Sequence, residues 1–142
     1  MAIQLKRVYE EERATDGVRF LVERLWPRGI KKADLRIDGW LKDAAPGTEL
    51  RKWFSHDPAK WDAFRHRYFA ELTSHADAWQ PILDAARREP VTLLYSSHDE
   101  EHNNAVALKQ FLERHIARKL PSPLADMTTR RSSRAIPPTG LI

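Results

Sequence analysis

Short blocks of consecutive or alternating apolar residues are separated along the chain by longer stretches in which apolar side chains recur every three or four positions. Blocks of the first kind read as strands, and stretches of the second kind as amphipathic helices. Residues 3–9 (IQLKRVY) set Ile3 and Leu5 against Gln4 and Lys6, then add Val8 and Tyr9, and so predict a first strand. Val18 to Leu25 predicts a second, with Phe20 and Val22 on one face and Leu21 and Leu25 on the other. Apolar side chains on both faces mark a strand covered on both sides. Val91 to Tyr95 (VTLLY), held between Pro90 and Ser96, predicts a third, central strand.

The helical stretches carry their own punctuation. Asp38 stands where it would cap a short helix through Trp40 and Leu41 to Ala45, ended by Pro46-Gly47. Thr48 reads as the next cap, with Leu50, Trp53 and Phe54 sharing a face. Asp57-Pro58 pairs a capping carboxylate with proline at the first helical position, and Trp61, Phe64, Tyr68 and Leu72 follow at helical spacing to about Thr73. A further helix, about Asp77 to Glu89, buries Trp79, Ile82, Leu83 and Ala86 and tolerates Pro81 in its first turns. After the polar loop 96–104, the last helix shows Ala105, Leu108, Leu112 and Ile116 as its apolar stripe.

These elements predict one α/β domain over residues 1–120, in three layers, with a small mainly parallel sheet covered by helices on both faces. From Pro121 the helical pattern stops. Residues 121–142 hold four of the nine prolines together with Arg130, Arg131 and Arg134, which predicts a flexible tail.

The chain has 142 residues, a formal charge of +4 and no cysteine. That excludes disulfides, thiol nucleophiles and thiolate metal sites, and fits the cytoplasm. No apolar run reaches the ~18 residues of a membrane span, and the N-terminus lacks a signal-peptide core. Half of the positive excess lies in 121–142, so the domain itself is close to charge balance. A general nucleic-acid binder shows a stronger excess, whereas an anionic small ligand needs only a local one.

Local excess occurs where the second strand ends, at Leu21-Val22-Glu23-Arg24-Leu25-Trp26-Pro27-Arg28-Gly29. A strand that stops at a Trp-Pro step and at once presents Arg24 and Arg28 is a common way to begin an anion site. If this strand runs parallel to Val91–Tyr95, both exits open on one edge of the sheet. Arg24 and Arg28 then face Tyr95, Ser96, Ser97, Asp99, His102 and Asn103 across a cleft. Structural roles compete with each of these. Arg24 can pair with an acid at the core edge, Asp99 can cap the last helix, and Trp26, Trp53 and Trp61 suit a core. His98 and His102 have i, i+4 metal spacing, but Asp99 breaks the HExxH pattern, and no metal or cofactor is expected. His56, just before a helix start, is either an acid–base group or a backbone-bonded imidazole. Ser96 or Ser97 with His102 and Asp99 lacks the glycines of a nucleophile elbow, and neither a Walker motif nor GxGxxG is present.

Three segments, DGVRFLVERLWPRG, WLKDAAPGTELRKWFSHDPAKWDAFRHRYFAEL and VTLLYSSHDEEHNNAVALKQFL, closely resemble the YeaO-like family, bacterial proteins within a larger domain-of-unknown-function superfamily. The resemblance spans about residues 7 to 116 and implies a three-layer α/β fold with a mainly parallel sheet, but no activity. The polar positions that match the family pattern are Asp16, Arg19, Arg24, Trp26, Arg28, Lys42, Arg51, Trp53, His56, Trp61, Tyr68, Tyr95, Asp99, His102 and Asn103. This chain departs from its relatives at Gly47, where they carry serine, and at His98, where they carry lysine. The wider superfamily places a cysteine near Tyr95, so any thiol chemistry there is lost here, with Tyr95 left as an acid–base substitute.

Two functions follow as expectations, with enzymatic activity left open. In the first, a cleft binds and acts on a small anionic or nucleotide-like substrate. Arg24, Arg28, Arg51 and Lys42 hold the anion, Trp26, Ser96 and Asn103 complete the binding wall, and His102, His56, Asp99 and Tyr95 supply acid–base chemistry. In the second, the basic stretch 24–36 (Arg24, Arg28, Lys31, Lys32, Arg36) and the tail arginines contact nucleic-acid phosphates, and Trp26 stacks on a base. Neither involves a membrane, and the oligomeric state is left open.

Overall fold

The computed structural model describes residues 2–119, so the expected tail at 121–142 lies outside the described residues. Four strands form one sheet: β1 (Ile3–Arg7), β2 (Val18–Leu21), β3 (Gly39–Trp40) and β4 (Val91–Tyr95). Their order is β1-β4-β2-β3, and every pairing is parallel. β4 is the centre, with Ile3 opposite Val91 on one side and Val18 opposite Val91 on the other. All five of its residues are buried. Because successive side chains point to opposite faces, the sheet is covered on both sides, as the unbroken apolar run VTLLY requires.

Four α-helices complete the fold: α1 (Thr48–Phe54), α2 (Trp61–Thr73), α3 (Ala76–Ala86) and α4 (Asn104–Lys119). By compactness the chain divides into Met1–Phe111 and Leu112–Ile142. The first unit holds the sheet and the site. The described part of the second is the final stretch of α4. Asp57 Oδ1 accepts the Ala59 N–H at 3.0 Å and starts the 3-10 turn Pro58–Lys60 that leads into α2, as the Asp-Pro signal requires. Among the described residues no helix is long and apolar enough to cross a membrane.

Three expectations are corrected. β2 ends at Leu21, not Leu25: Val22 still donates to the Leu94 carbonyl at 3.2 Å, but beyond it the chain turns away and Leu25 is 61% exposed. Beyond the strand, Trp26 and Ile30 of the following loop return to the core. Leu21, Leu94, Val8 and Leu35 form a cluster against which Trp26, Ile30, Ile37 and Trp40 pack. The short helix expected after Asp38 is instead β3 followed by a 3-10 turn at Lys42–Ala44. Asp38 does not cap there; its Oδ2 accepts the Arg19 N–H at 2.8 Å, which fixes the edge strand beside β2. α1 takes Gly47, not Thr48, as its cap, and the Gly47 N–H donates to Glu71 Oε1 on α2 at 2.9 Å.

The turn into β2 depends on Gly17. Its φ is +66°, and an added Cβ would lie 2.0 Å from the Pro90 carbonyl oxygen. Next to it Asp16 and Arg19 form a buried ion pair, with Lys6 Nζ on the other Asp16 oxygen at 2.7 Å.

Candidate functional site: a cleft at the carboxyl ends of β2 and β4

β2 and β4 are parallel neighbours, so their exits open on the same edge of the sheet, where α/β proteins place their ligands. Side chains tie the two exits together. Asn104 Nδ2 donates to the Val22 carbonyl at 2.6 Å, and the Ser96 N–H donates to Glu23 Oε2 at 3.1 Å. Between them opens a cleft of about 730 Å³, within the range typical of small-molecule sites. Its polar wall comprises Glu23, Arg24, Arg28, Arg51, His56, Ser96, Ser97, His98, Asp99, Asn103 and Asn104. Its apolar wall includes Leu25, Trp26, Pro27, Phe54, Phe64 and Tyr9.

The structure therefore brings Arg24, Arg28, Arg51, Trp26, His56, Ser96, Asp99 and Asn103 together. Lys42, Tyr95 and His102 do not line the cleft. Lys42 lies over the Trp40 ring, 4.1 Å from its centroid. Tyr95 is buried, and burial pushes its phenol above the ordinary range, away from acid–base work near neutrality. His102 sits with Nδ1 3.0 Å from Asp99 Oδ2 and its ring edge-on to Trp61 at 5.3 Å.

Several residues that reach the cleft are already committed. Arg24 donates from Nε to the Pro46 carbonyl and from Nη2 to the Ala45 carbonyl, at 3.3 and 3.0 Å, and faces Asp43. It fastens the segment before α1, the core-edge role that competed with ligand binding. Arg7 does the same for the β4–α4 loop through the Ser96 and Ser97 carbonyls. Asp99 Oδ1 accepts the Glu101 and His102 N–H groups, and the first of these does most to hold its carboxyl below the usual range. The expected helix cap falls elsewhere: Asn103 Oδ1 accepts the Val106 N–H at 3.0 Å at the start of α4. Trp26 rests edge-to-face on Trp40 at 5.3 Å and donates from Nε1 to the Ile30 carbonyl.

Two guanidinium groups differ. Arg28 is exposed, with only its carbonyl bonded, by the Tyr9 hydroxyl at 3.0 Å. Arg51 projects from α1 with Nε buried and unpaired, and its charge acts on Glu23. Among the described residues neither guanidinium is hydrogen-bonded or ion-paired to a protein group. His56 reaches the wall because Ser55 and His56 both adopt left-handed backbone, φ 48° and 56°, where α1 ends. Consecutive non-glycine residues in that region store strain, which concentrates at functional sites.

Glu23 is the group that the sequence pattern did not single out. It follows a buried valine directly, and its carboxyl is taken into the cleft floor with one hydrogen bond, from Ser96. Burial raises its pKa to about 7, against the lowering effects of that hydrogen bond and of Arg51. A perturbed carboxyl lining a cleft is a candidate for a functional role, although structural networks also perturb carboxyls. The available signal was its position, an acid at the exit of an interior strand facing a polar loop. Among the described residues no group of three or more His, Cys, Asp or Glu side chains is placed to hold a metal ion.

Comparison with known proteins finds relatives that are themselves uncharacterised. The chain is 46% identical over 112 residues to the uncharacterised protein YeaO of Escherichia coli (strain K12), covering 79% of this chain and 97% of that one. It is 39% identical over 110 residues to the uncharacterised proteins Rv3073c of Mycobacterium tuberculosis (strain ATCC 25618 / H37Rv) and Mb3100c of Mycobacterium bovis, covering 78% of this chain and 92% of each. No solved structure matches. Residues 2–133 match the family model DUF488-N3i, described as the inactive DUF488-N3 subclade. The chain belongs to this YeaO-like family.

Proposed function

We propose that the chain binds a small anionic or nucleotide-like ligand in the cleft between the β2 and β4 exits, and holds it without turnover. The observation that carries this reading is the pair of uncommitted guanidinium groups, Arg28 and Arg51, in one concave wall. Guanidinium forks match carboxylate and phosphate oxygens, and a buried unpaired N–H is costly until an acceptor or a rearrangement satisfies it. The apolar wall suits the body of a ligand whose charged end meets these arginines. The subclade's description as inactive supports binding over chemistry, as does the seating of His102 and Tyr95 outside the wall. A cysteine-free chain suits the cytoplasm, where such ligands are abundant.

Calorimetric titration of the full chain with inorganic phosphate and a nucleoside monophosphate at low ionic strength tests the reading. Arg28→Ala and Arg51→Ala each weaken binding by about tenfold or more, the equivalent of ~1.4 kcal/mol. Absence of binding, or affinity indifferent to both changes, refutes it. The nucleic-acid alternative has less support, because Arg36 is committed to Glu12 and Asp38, and Arg24 to the 43–46 segment. Oligonucleotide binding that falls steeply with salt and ignores Arg51→Ala would favour it instead.

A further inference from the structure

The anion reading leaves one feature of the cleft without a role: a carboxyl group in a wall otherwise dominated by cations. Glu23 Oε2 is held by the Ser96 N–H, while Oε1 has no hydrogen-bond partner among the described residues. A fully ionised anion brought beside an ionised, half-buried carboxylate meets a like charge that water screens only in part. An anion that carries its own proton meets a hydrogen-bond acceptor instead. We propose that Glu23 makes the cleft selective for a phosphate that retains a P–OH group over a sulfate of the same shape and charge. This rests on the proposed function and names the ligand class of the same site.

In this arrangement the P–OH donates to Glu23 Oε1, the remaining phosphate oxygens accept from Arg51 and Arg28, and no covalent bond changes. Sulfate has no proton to give. To bind equally well it requires Glu23 to take a proton from solvent and donate to it. The selectivity therefore depends on pH. Below neutrality Glu23 is already neutral and serves either anion. Above it, sulfate alone carries the cost of protonating the carboxyl, and with Glu23 titrating at about 7 that cost is roughly tenfold in affinity at pH 8.

The charged and titratable groups around Glu23 come from several elements. Arg51 faces it from α1 and Tyr68 from α2, where burial, and to a lesser degree the Glu23 charge, keep the phenol neutral. Arg24, Arg28, His56, His98 and Asp99 share the cleft wall. A change of charge on either imidazole strengthens or weakens both dianions alike and cancels from the phosphate-to-sulfate ratio.

The test measures that ratio for the full chain by calorimetry or equilibrium dialysis, with inorganic phosphate and sulfate at pH 6 and pH 8. Each phosphate affinity is referred to the hydrogen phosphate dianion, because phosphate, unlike sulfate, takes up a further proton near neutrality. In the parent the ratio is near one at pH 6 and about tenfold in favour of phosphate at pH 8. Glu23→Gln, which keeps an acceptor for the Ser96 N–H, brings the ratio near one at both pH values. A parent that binds the two anions equally at pH 8 overturns the proposal, and that measurement needs no variant. So does a Glu23→Gln chain, folded by its thermal melt, that keeps the preference. Binding of both anions that depends on Arg51 but does not discriminate removes this proposal and leaves the anion reading standing. Binding of neither removes both.

Discussion

The Glu23 carboxyl makes the fold itself sensitive to pH, independently of any ligand. Its pKa rises from 4.5 to about 7 because burial disfavours the ionised form. Between those values the folded chain retains a proton that the unfolded chain has released, so stability falls as pH rises. The penalty is absent below about pH 4.5 and complete above about pH 7. At ~1.4 kcal/mol per pH unit the interval amounts to about 3 kcal/mol, a large fraction of the stability of an ordinary domain. Glu23→Gln removes the charge and keeps the acceptor for the Ser96 N–H. Urea unfolding of the parent and of Glu23→Gln, followed by far-ultraviolet circular dichroism at pH 4 and pH 8, isolates the effect, since every other titrating group is common to both. The expected outcome is near-equal stability at pH 4 and an advantage of about 3 kcal/mol for Glu23→Gln at pH 8. Parallel pH profiles for the two chains would refute the account of a carboxyl buried in the cleft floor.

Five further outcomes follow from the fold. Arg24→Ala frees the Ala45 and Pro46 carbonyls and lowers stability by about 1–3 kcal/mol, whereas Arg28→Ala, at an exposed unpaired side chain, stays within about 0.5 kcal/mol by denaturant titration. Gly17→Ala sets a methyl group against the Pro90 carbonyl at φ +66° and costs about 2 kcal/mol or more, read as a loss of thermal midpoint. Tyr68→Phe removes the buried hydroxyl that donates to the Ala44 carbonyl and costs about 1–2 kcal/mol in urea. Asp16→Ala leaves Arg19 buried without its partner and costs about 3 kcal/mol or more by the same assay.

The central strand and the entry to α2 were legible because each is written in local chemistry. VTLLY can only be a strand buried on both faces, and Asp57-Pro58 sets both a cap and a first turn. The end of β2 was not legible, since Val22 is as apolar and as buried as the strand residues and still bonds the Leu94 carbonyl, yet the strand has already ended at Leu21. β3 was misread for a related reason. Two residues carry no periodicity, and the capping carboxylate of Asp38 is used across the sheet by Arg19. The convergence of Arg24, Arg28, Ser96, Ser97, Asp99 and Asn103 followed once β2 and β4 were taken as parallel, whereas His56 reaches the same wall through the end of α1, which that argument did not cover. His102 and Tyr95 failed to join because side-chain direction along a turn or strand is not fixed by composition. Glu23 was passed over because an acid beside an arginine resembles a solvated pair. Its surroundings include Ser96 and Arg51, which arrive from distant parts of the chain.

The strand order also has a consequence for biogenesis. β1 and β2 precede β4 by most of the described chain, yet each pairs with it and neither pairs with the other. On the ribosome β1 therefore emerges without a partner strand and β2 with only the two-residue β3 beside it, and the sheet is completed only when Val91–Tyr95 leaves the exit tunnel. Nascent chains halted before that point expose two strand edges that only β4 can cover, which makes the interval before its emergence the one when holding chaperones matter most.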